Sequence, residues 1–252
     1  MAYQDRKLKI LQALADHTHL EVQELTELLG ISPVTIRRDL QQLAGEGLLL
    51  RTHGGAMKLE QRTAFTAFTD KSNVAAAAKE EIGKLAAAYV QEGDTVFLDC
   101  GSTVFAMCEH LKKMKNLRII TNSLPVAAAF MDTPQIMVNL AGGELDRERR
   151  AIHGQHAIQH INSYYAQKAF IGTDGLSVAK GLSANSEKEA SMSKAMAVNA
   201  DQVFVLCDAS KIGKDSYFAF APLSLFHHLV SDTSLTNQQR RILKAGKVNI
   251  LS

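Results

Sequence analysis

The chain has 252 residues, 46% of them hydrophobic, and a formal net charge of +2 at pH 7, which suits a small domain joined to a larger one. No apolar run is long enough to span a bilayer and the N-terminus reads as a polar helix rather than a signal peptide, so a cytoplasmic protein is expected rather than a membrane or exported one. Cys100, Cys108 and Cys207 are too few and too far apart for a disulfide framework or a structural zinc site, and they read as reduced core thiols with no metal or cofactor implied.

Gln4 to about Asp16 carries Leu8, Ile10, Leu11 and Leu14 at helical spacing, with Arg6, Lys7 and Lys9 on the other side. His17-Thr18-His19 breaks it, Glu21 to Leu29 forms a second short amphipathic helix, and Gly30 supplies a left-handed stop. Ser32 then caps a third helix with Pro33 at its first position. Ile36, Leu40 and Leu43 face a core, so Thr35, Arg37 and Arg38 point elsewhere. Helix, tight turn and basic-faced helix make a helix-turn-helix. Leu48 to His53 reads extended until Gly54-Gly55 turns the chain, which adds a wing that sets Arg51 and His53 beside a phosphate strand or in the minor groove. The acidic Glu21, Glu24 and Glu27 lie apart from Arg37, Arg38, Arg51, His53 and Lys58, so a near-neutral total hides a local basic face. Residues 1–58 are therefore expected to be a DNA-binding domain.

Residues 59–73 lose periodicity and read as a linker, though Phe65 and Phe68 suggest that it packs on something. Asn73 to Val90 is alanine-rich and helical by propensity. Short apolar runs then alternate with amphipathic helices: Thr95–Leu98, Leu117–Ile120, Ile136–Leu140, Lys168–Ile171, Gln202–Leu206, His228–Val230 and Val248–Ile250. This predicts an α/β domain over 74–252 with a mostly parallel sheet covered on both faces. Ligands of such sheets sit beyond the carboxyl ends of the strands. There the chain places Asp99-Cys100-Gly101-Ser102-Thr103, Thr121-Asn122-Ser123, Gly142-Gly143, Asp174 and Asp208-Ala209-Ser210-Lys211. Gly101 lets backbone approach a ligand closely, Ser102 and Thr103 offer hydroxyls, and Lys211 neutralises an anion, a set that fits a polyhydroxylated phosphate ester.

The run Ser32 to Leu40 with Leu43, Gly47, Leu50, Arg51 and His53-Gly54-Gly55-Ala56 resembles the N-terminal signature of the DeoR family of bacterial sugar-metabolism regulators. The strand-end motifs, together with Phe170-Ile171-Gly172 and Asp174-Gly175, match its sensor domain, so the resemblance covers the chain from about Arg6 to Asn249. It implies a sensor fold similar to ribose-5-phosphate and glucosamine-6-phosphate isomerases, an operator-DNA partner, a phosphorylated sugar or sugar alcohol as effector, and a homodimer or homotetramer. Glu189 stands at the family's acidic position. Gln167 replaces a frequent Asp and bears on how the loop holding Asp174 is anchored.

The expected function is a non-enzymatic, sequence-specific repressor of a sugar-utilisation operon. Thr35 and Arg38 are assigned to base edges, Val34 to a thymine methyl, and Arg37, Arg51 and His53 to phosphates, with Ser32 completing the DNA-binding set. The effector set is Asp99, Gly101, Ser102, Thr103, Thr121, Asn122, Ser123, Gly142, Gly143, Asp174, Glu189 and Lys211. A sugar-phosphate isomerase using Asp99, Asp174, Asp208 or Glu189 as base is the alternative. His153, His156 and His160 have helical spacing that would suit a metal sensor, but they read as solvated or partner-facing, and Arg147-Glu148-Arg149-Arg150 reads as solvated surface.

Overall fold

The computed structural model describes residues 3–16, 19–45, 49–52, 54–58, 68 and 74–252. The chain divides into two compact units, Met1–Thr63 and Ala64–Ser252. His53, Phe65 and, apart from Phe68, the expected linker lie outside the described residues.

The first unit runs α1 (Tyr3–Asp16), β1 (His19–Glu21), α2 (Val22–Leu29), α3 (Pro33–Gly45), β2 (Leu49–Arg51) and β3 (Gly55–Lys58). Gly30 ends α2 at φ +64° and its N–H bonds to Thr26 O, as the left-handed stop requires. The hairpin β2–β3 is the expected wing, and β1 adds a strand on its other side, in the order β1-β3-β2. Gly55 makes that pairing possible, because a Cβ there would lie 2.1 Å from Leu20 O. Ile10, Leu14, Leu25, Ile36, Leu40 and Leu43 form the core.

One face of α1 departs from the sequence reading. Leu8 is 69% exposed, whereas Arg6 turns inward and grips buried Asp39 through Nε–Oδ2 at 2.6 Å and Nη2–Oδ1 at 3.0 Å. A carboxylate facing the core of a small domain needs a cation, and this fork ties α1 to α3.

The second unit begins with α4 (Ala76–Ala87), β4 (Thr95–Leu98), α5 (Ser102–Phe105), α6 (Cys108–Leu111), β5 (Arg118–Thr121), α7 (Leu124–Ala129) and β6 (Met137–Leu140). A hairpin follows, β7 (Glu144–Asp146) and β8 (Ala151–His153), then α8 (Gln155–Asn162) and β9 (Ala166–Gly172). The remainder is β10 (Gly175–Ser177), β11 (Gly181–Ala184), α9 (Glu187–Val198), β12 (Ala200–Leu206), β13 (Phe218–Ala221), β14 (His228–Val230), α10 (Asn237–Ala245) and β15 (Ile250–Leu251).

The apolar runs become a seven-stranded sheet, β15-β14-β12-β9-β4-β5-β6, and every pairing within it is parallel. Phe97, Ile171, Val205 and Leu229 feed one core while Val96, Leu98, Phe170 and Phe204 feed the other, so both faces are covered. The chain order reverses between β4 and β9, which opens a crevice at their carboxyl ends. Two features lie outside the alternating pattern of the sequence: the β7–β8 hairpin and an antiparallel sheet β10-β11-β13. Phe68 is buried at the front of this unit, its ring edge-on to Phe105 at 5.6 Å. No helix among the described residues is long and apolar enough to cross a membrane.

Candidate effector cavity and nucleic-acid face

A cavity of about 210 Å³ occupies the β4/β9 crevice. Asp99, Gly101, Ser102, Thr103, Asp174 and Lys211 line it, in keeping with their places at or near strand ends, and Glu189 joins them from α9. It also gathers Lys79, Thr173, Asn185, Ser193, Asp208 and Ser210, which are outside the expected effector set. Lys79 sits on α4, before the first strand of the sheet, where no strand-end pattern would find it.

The carboxylates are all engaged by protein donors. Asp99 accepts from Cys100 N–H at 2.7 Å, Ser193 Oγ at 2.8 Å and Gly172 N–H at 3.1 Å, the last across the crevice. Asp174 accepts from Asn185 N–H, and Asp208 from Ser210 N–H, each at 3.0 Å. Glu189 pairs with Arg149 Nε at 2.9 Å, both side chains largely buried. Of the cations, Lys79 Nζ donates to Val74 O at 2.8 Å, and the Lys211 side chain has no hydrogen bond or ion pair among the described residues. Cys100 and Cys207 also face the cavity; burial, aided by the neighbouring Asp99 and Asp208 respectively, pushes both thiols upward, which keeps them protonated and poorly nucleophilic.

Gly101 has φ −65°, and a Cβ there would meet only Gly172 Cα at 3.7 Å and Val104 Cγ2 at 3.8 Å. Neither backbone strain nor the protein's own packing demands glycine at this position.

The structure does not bring Thr121, Asn122, Ser123, Gly142 or Gly143 to the cavity lining. Thr121 Oγ1 donates to Leu98 O at 2.6 Å and accepts from Ser123 N–H at 3.0 Å. Ser123 caps α7 by accepting from Val126 N–H. Asn122 Nδ2 donates to Ile152 O at 3.0 Å, and Asn122 O accepts from Ile152 N–H at 2.7 Å. Gly143 sits at φ +153°, where a Cβ would fall 2.6 Å from His153 O. Asn122 and the Ser123–Ala151 bridge thus fasten the β7–β8 hairpin to the sheet.

That hairpin corrects two surface readings. Arg149, expected in solvent, is 3% exposed and paired with Glu189, and His153 is 1% exposed with neither ring nitrogen hydrogen-bonded among the described residues. His153 belongs to β8, while His156 and His160 belong to α8, so the three do not share a helix face. Among the described residues no group of His, Cys, Asp and Glu is placed to hold a metal ion. Burial lowers the His153 pKa, reinforced by Lys188 and Arg149 and opposed by Asp146 and Asp99. Gln167 accepts from Thr95 N–H at 2.7 Å near the start of β9, the opposite end of that strand from Asp174, so it does not anchor the Asp174 loop.

In the first unit, α3 carries Ser32, Val34, Thr35, Arg37 and Arg38 at or near its N-terminal end. Ser32 Oγ lies 3.0 Å from Thr35 Oγ1, Val34 is 74% exposed, and Arg37 and Arg38 are exposed opposite the Ile36-Leu40-Leu43 core face. Arg51 is exposed on the wing and reaches Gln41 Oε1 at 3.4 Å. This exposed, basic, helix-plus-wing surface has the residue types that a major groove and its flanking phosphates require.

Residues 6–62 match the DeoR-like helix-turn-helix domain, and residues 74–233 match the DeoR C terminal sensor domain. The HTH-type transcriptional repressor GlcR of Bacillus subtilis strain 168 is 33% identical over 94% of this chain and 91% of its own. The transcriptional repressor AccR of Agrobacterium fabrum strain C58 is 34% identical over 91% and 90%. Among solved structures, ribose 5-phosphate isomerase A from Methanocaldococcus jannaschii aligns over 53% of this chain and 52% of that one, with 20% identity and a TM-score of 0.39.

Proposed function

This chain belongs to the DeoR family of transcriptional regulators, and from that premise we propose that it represses a sugar-utilisation operon in the cytoplasm under control of a phosphorylated sugar or sugar alcohol. Residues 1–58 bind operator DNA and residues 74–252 bind the effector. The observation that carries this reading is the one-sided pairing of the charged groups around the cavity. Its carboxylates are already engaged by protein donors, while Lys211 stands among hydroxyls and amides with no side-chain partner among the described residues. An entering anion therefore meets a cation without having to displace an ion pair. The dispensability of a bare Cα at Gly101 for the fold supports the same reading, since a methyl there would make only ordinary contacts with the protein at a residue that lines the cavity.

Gly101, Ser102, Thr103 and Lys211 hold the phosphate, with Lys79 adding charge, and Asp99 and Glu189 order the hydroxyls. Asn122 serves the hairpin it fastens instead of the effector. We assign it no isomerase activity: a DNA-binding module precedes the domain, and Asp99, Asp174, Asp208 and Glu189 each serve protein partners rather than forming a recognisable catalytic pair. Sustained sugar-phosphate isomerisation by the purified protein would overturn that statement.

On DNA, Thr35 and Arg38 read base edges, Val34 meets a thymine methyl, and Arg37, Arg51 and His53 bind phosphates. Arg38→Ala should blunt discrimination between operator and random duplex, whereas Arg51→Ala should weaken both alike and flatten the salt dependence. One helix-turn-helix touches few base pairs, so the working form is a homodimer or homotetramer.

A thermal-shift screen against pentose and hexose phosphates tests the effector assignment. At about 100-fold excess over Kd, a binding sugar phosphate adds about 2.7 kcal/mol to the folded state, a rise of several degrees in Tm. Lys211→Ala should lose that rise. A rise unchanged in the variant would contradict the site.

A further inference from the structure

Phe68 is fastened to the sensor domain through Phe105, on an element that lines the cavity, and through Glu148, one residue before a side chain that pairs with a lining residue. Its ring packs edge-on against Phe105, the last residue of α5, whose first residues Ser102 and Thr103 line the cavity. Its N–H donates to Glu148 O at 3.0 Å. Glu148 sits in the β7–β8 turn immediately before Arg149, and Arg149 holds the cavity residue Glu189 through Nε–Oε1 at 2.9 Å. The turn is itself stiff. Asp146 Oδ1 accepts from Arg149 N–H at 3.0 Å, Arg150 adopts the left-handed conformation at φ 51°, and Leu124 N–H bonds to Arg150 O at 2.9 Å. Phe68 in turn lies just past the boundary at which the first unit ends, Thr63.

We propose that the β7–β8 turn couples the cavity to the segment leading from the DNA-binding module, with Arg149 as the positioning residue that reads Glu189 and the Glu148 carbonyl as the group that holds Phe68. The proposal rests on the effector reading above and supplies its route. The Arg149–Glu189 pair is 4% and 15% exposed at the side chains, so water cannot take the place of a lost contact when a sugar hydroxyl engages Glu189. A guanidinium paired with that carboxylate follows it, and a close-packed turn answers by moving as a unit rather than by deforming. Phe68 is then held more or less firmly according to cavity occupancy.

The chain contains no tryptophan, so Phe68→Trp in the full-length protein gives a single fluorescent reporter. The probes are glucose 6-phosphate, fructose 6-phosphate, ribose 5-phosphate and inorganic phosphate, each scored for its effect on Tm and on indole emission. A probe that raises Tm should also shift the emission of the introduced indole. Adding Arg149→Lys should keep the rise in Tm at saturating probe and lose most of the emission shift. In the unmodified chain, the same probe should change hydrogen exchange at the Phe68 amide several-fold, a readout that survives if the tryptophan variant folds badly. A probe that raises Tm without moving emission or Phe68 exchange overturns the coupling and leaves the effector cavity intact. An emission shift equal with Lys and Arg at position 149 overturns the role of Arg149. If no probe raises Tm, the cavity reading falls and the coupling with it.

Discussion

The loops that follow β4 and β5 look alike on paper, Asp99-Cys100-Gly101-Ser102-Thr103 and Thr121-Asn122-Ser123, yet the folded chain uses them in opposite ways. The first opens into the crevice where strand order reverses and lines a cavity. The second lies beside β6 and turns its hydroxyls and amide on its own neighbours, capping α7 and pinning the β7–β8 hairpin. Small polar residues at a strand end thus line a cavity where the strand order reverses, and serve the fold's own connections where it does not. The comparison is sharp enough to break by mutation.

The largest effect belongs to the hairpin side. Arg149→Ala leaves the Glu189 carboxylate poorly compensated and should cost the sensor domain about 3–5 kcal/mol in urea unfolding, whereas Lys211→Ala should stay within about 0.5 kcal/mol. Next come the glycines. Gly143→Ala drives a methyl to 2.6 Å from His153 O and should cost about 2 kcal/mol, while Gly101→Ala meets only ordinary contacts, keeps its Tm, and loses the sugar-phosphate shift. Thr121→Val removes a buried hydroxyl that both donates and accepts, at a cost of about 1–2 kcal/mol, and should leave the sugar-phosphate shift in place. Reversal of these pairs in differential scanning calorimetry would erase the distinction between the loops.

The smallest effect is electrostatic. Because burial lowers the His153 pKa in the folded chain, the unfolded chain takes up that proton first as pH falls below about 6.5. Stability should be flat above that value and decline below it, and His153→Gln should flatten the decline. An unchanged slope in the variant would assign the acid sensitivity to other groups.

The periodicity of the second domain is legible wherever apolar residues cluster: each apolar run from Thr95 to Ile250 becomes a strand of the one parallel sheet. The β7–β8 hairpin is not, because Glu144, Asp146 and Arg147 to Arg150 carry the composition of a solvated loop, and only partners distant in sequence, Lys188 and Glu189, engage Glu144 and Arg149. Arg6 and Asp39 escape the pattern for a related reason. Each is charged, so pattern alone sets it outside, and only the meeting of α1 with α3 gives the pair an interior place. Of the cavity, the strand-end residues are readable from topology alone, while Lys79 and Ser193 come from helices and enter through packing that no single-strand pattern records. The basic face of α3 is legible because a capped helix fixes which positions a core must take, and Arg37 and Arg38 are what remain.

The central claim is that cavity occupancy and DNA affinity alter one another. The most direct measurement is a fluorescence-anisotropy titration of the full-length protein and its Lys211→Ala variant on a duplex obtained by selection, with and without the sugar phosphate that gives the largest rise in Tm. The wild type should change affinity by about 5–150-fold on adding that sugar phosphate, while the variant keeps its ligand-free affinity and shows no response. An identical response from both proteins, or none from the wild type while its Tm still rises, would contradict the account.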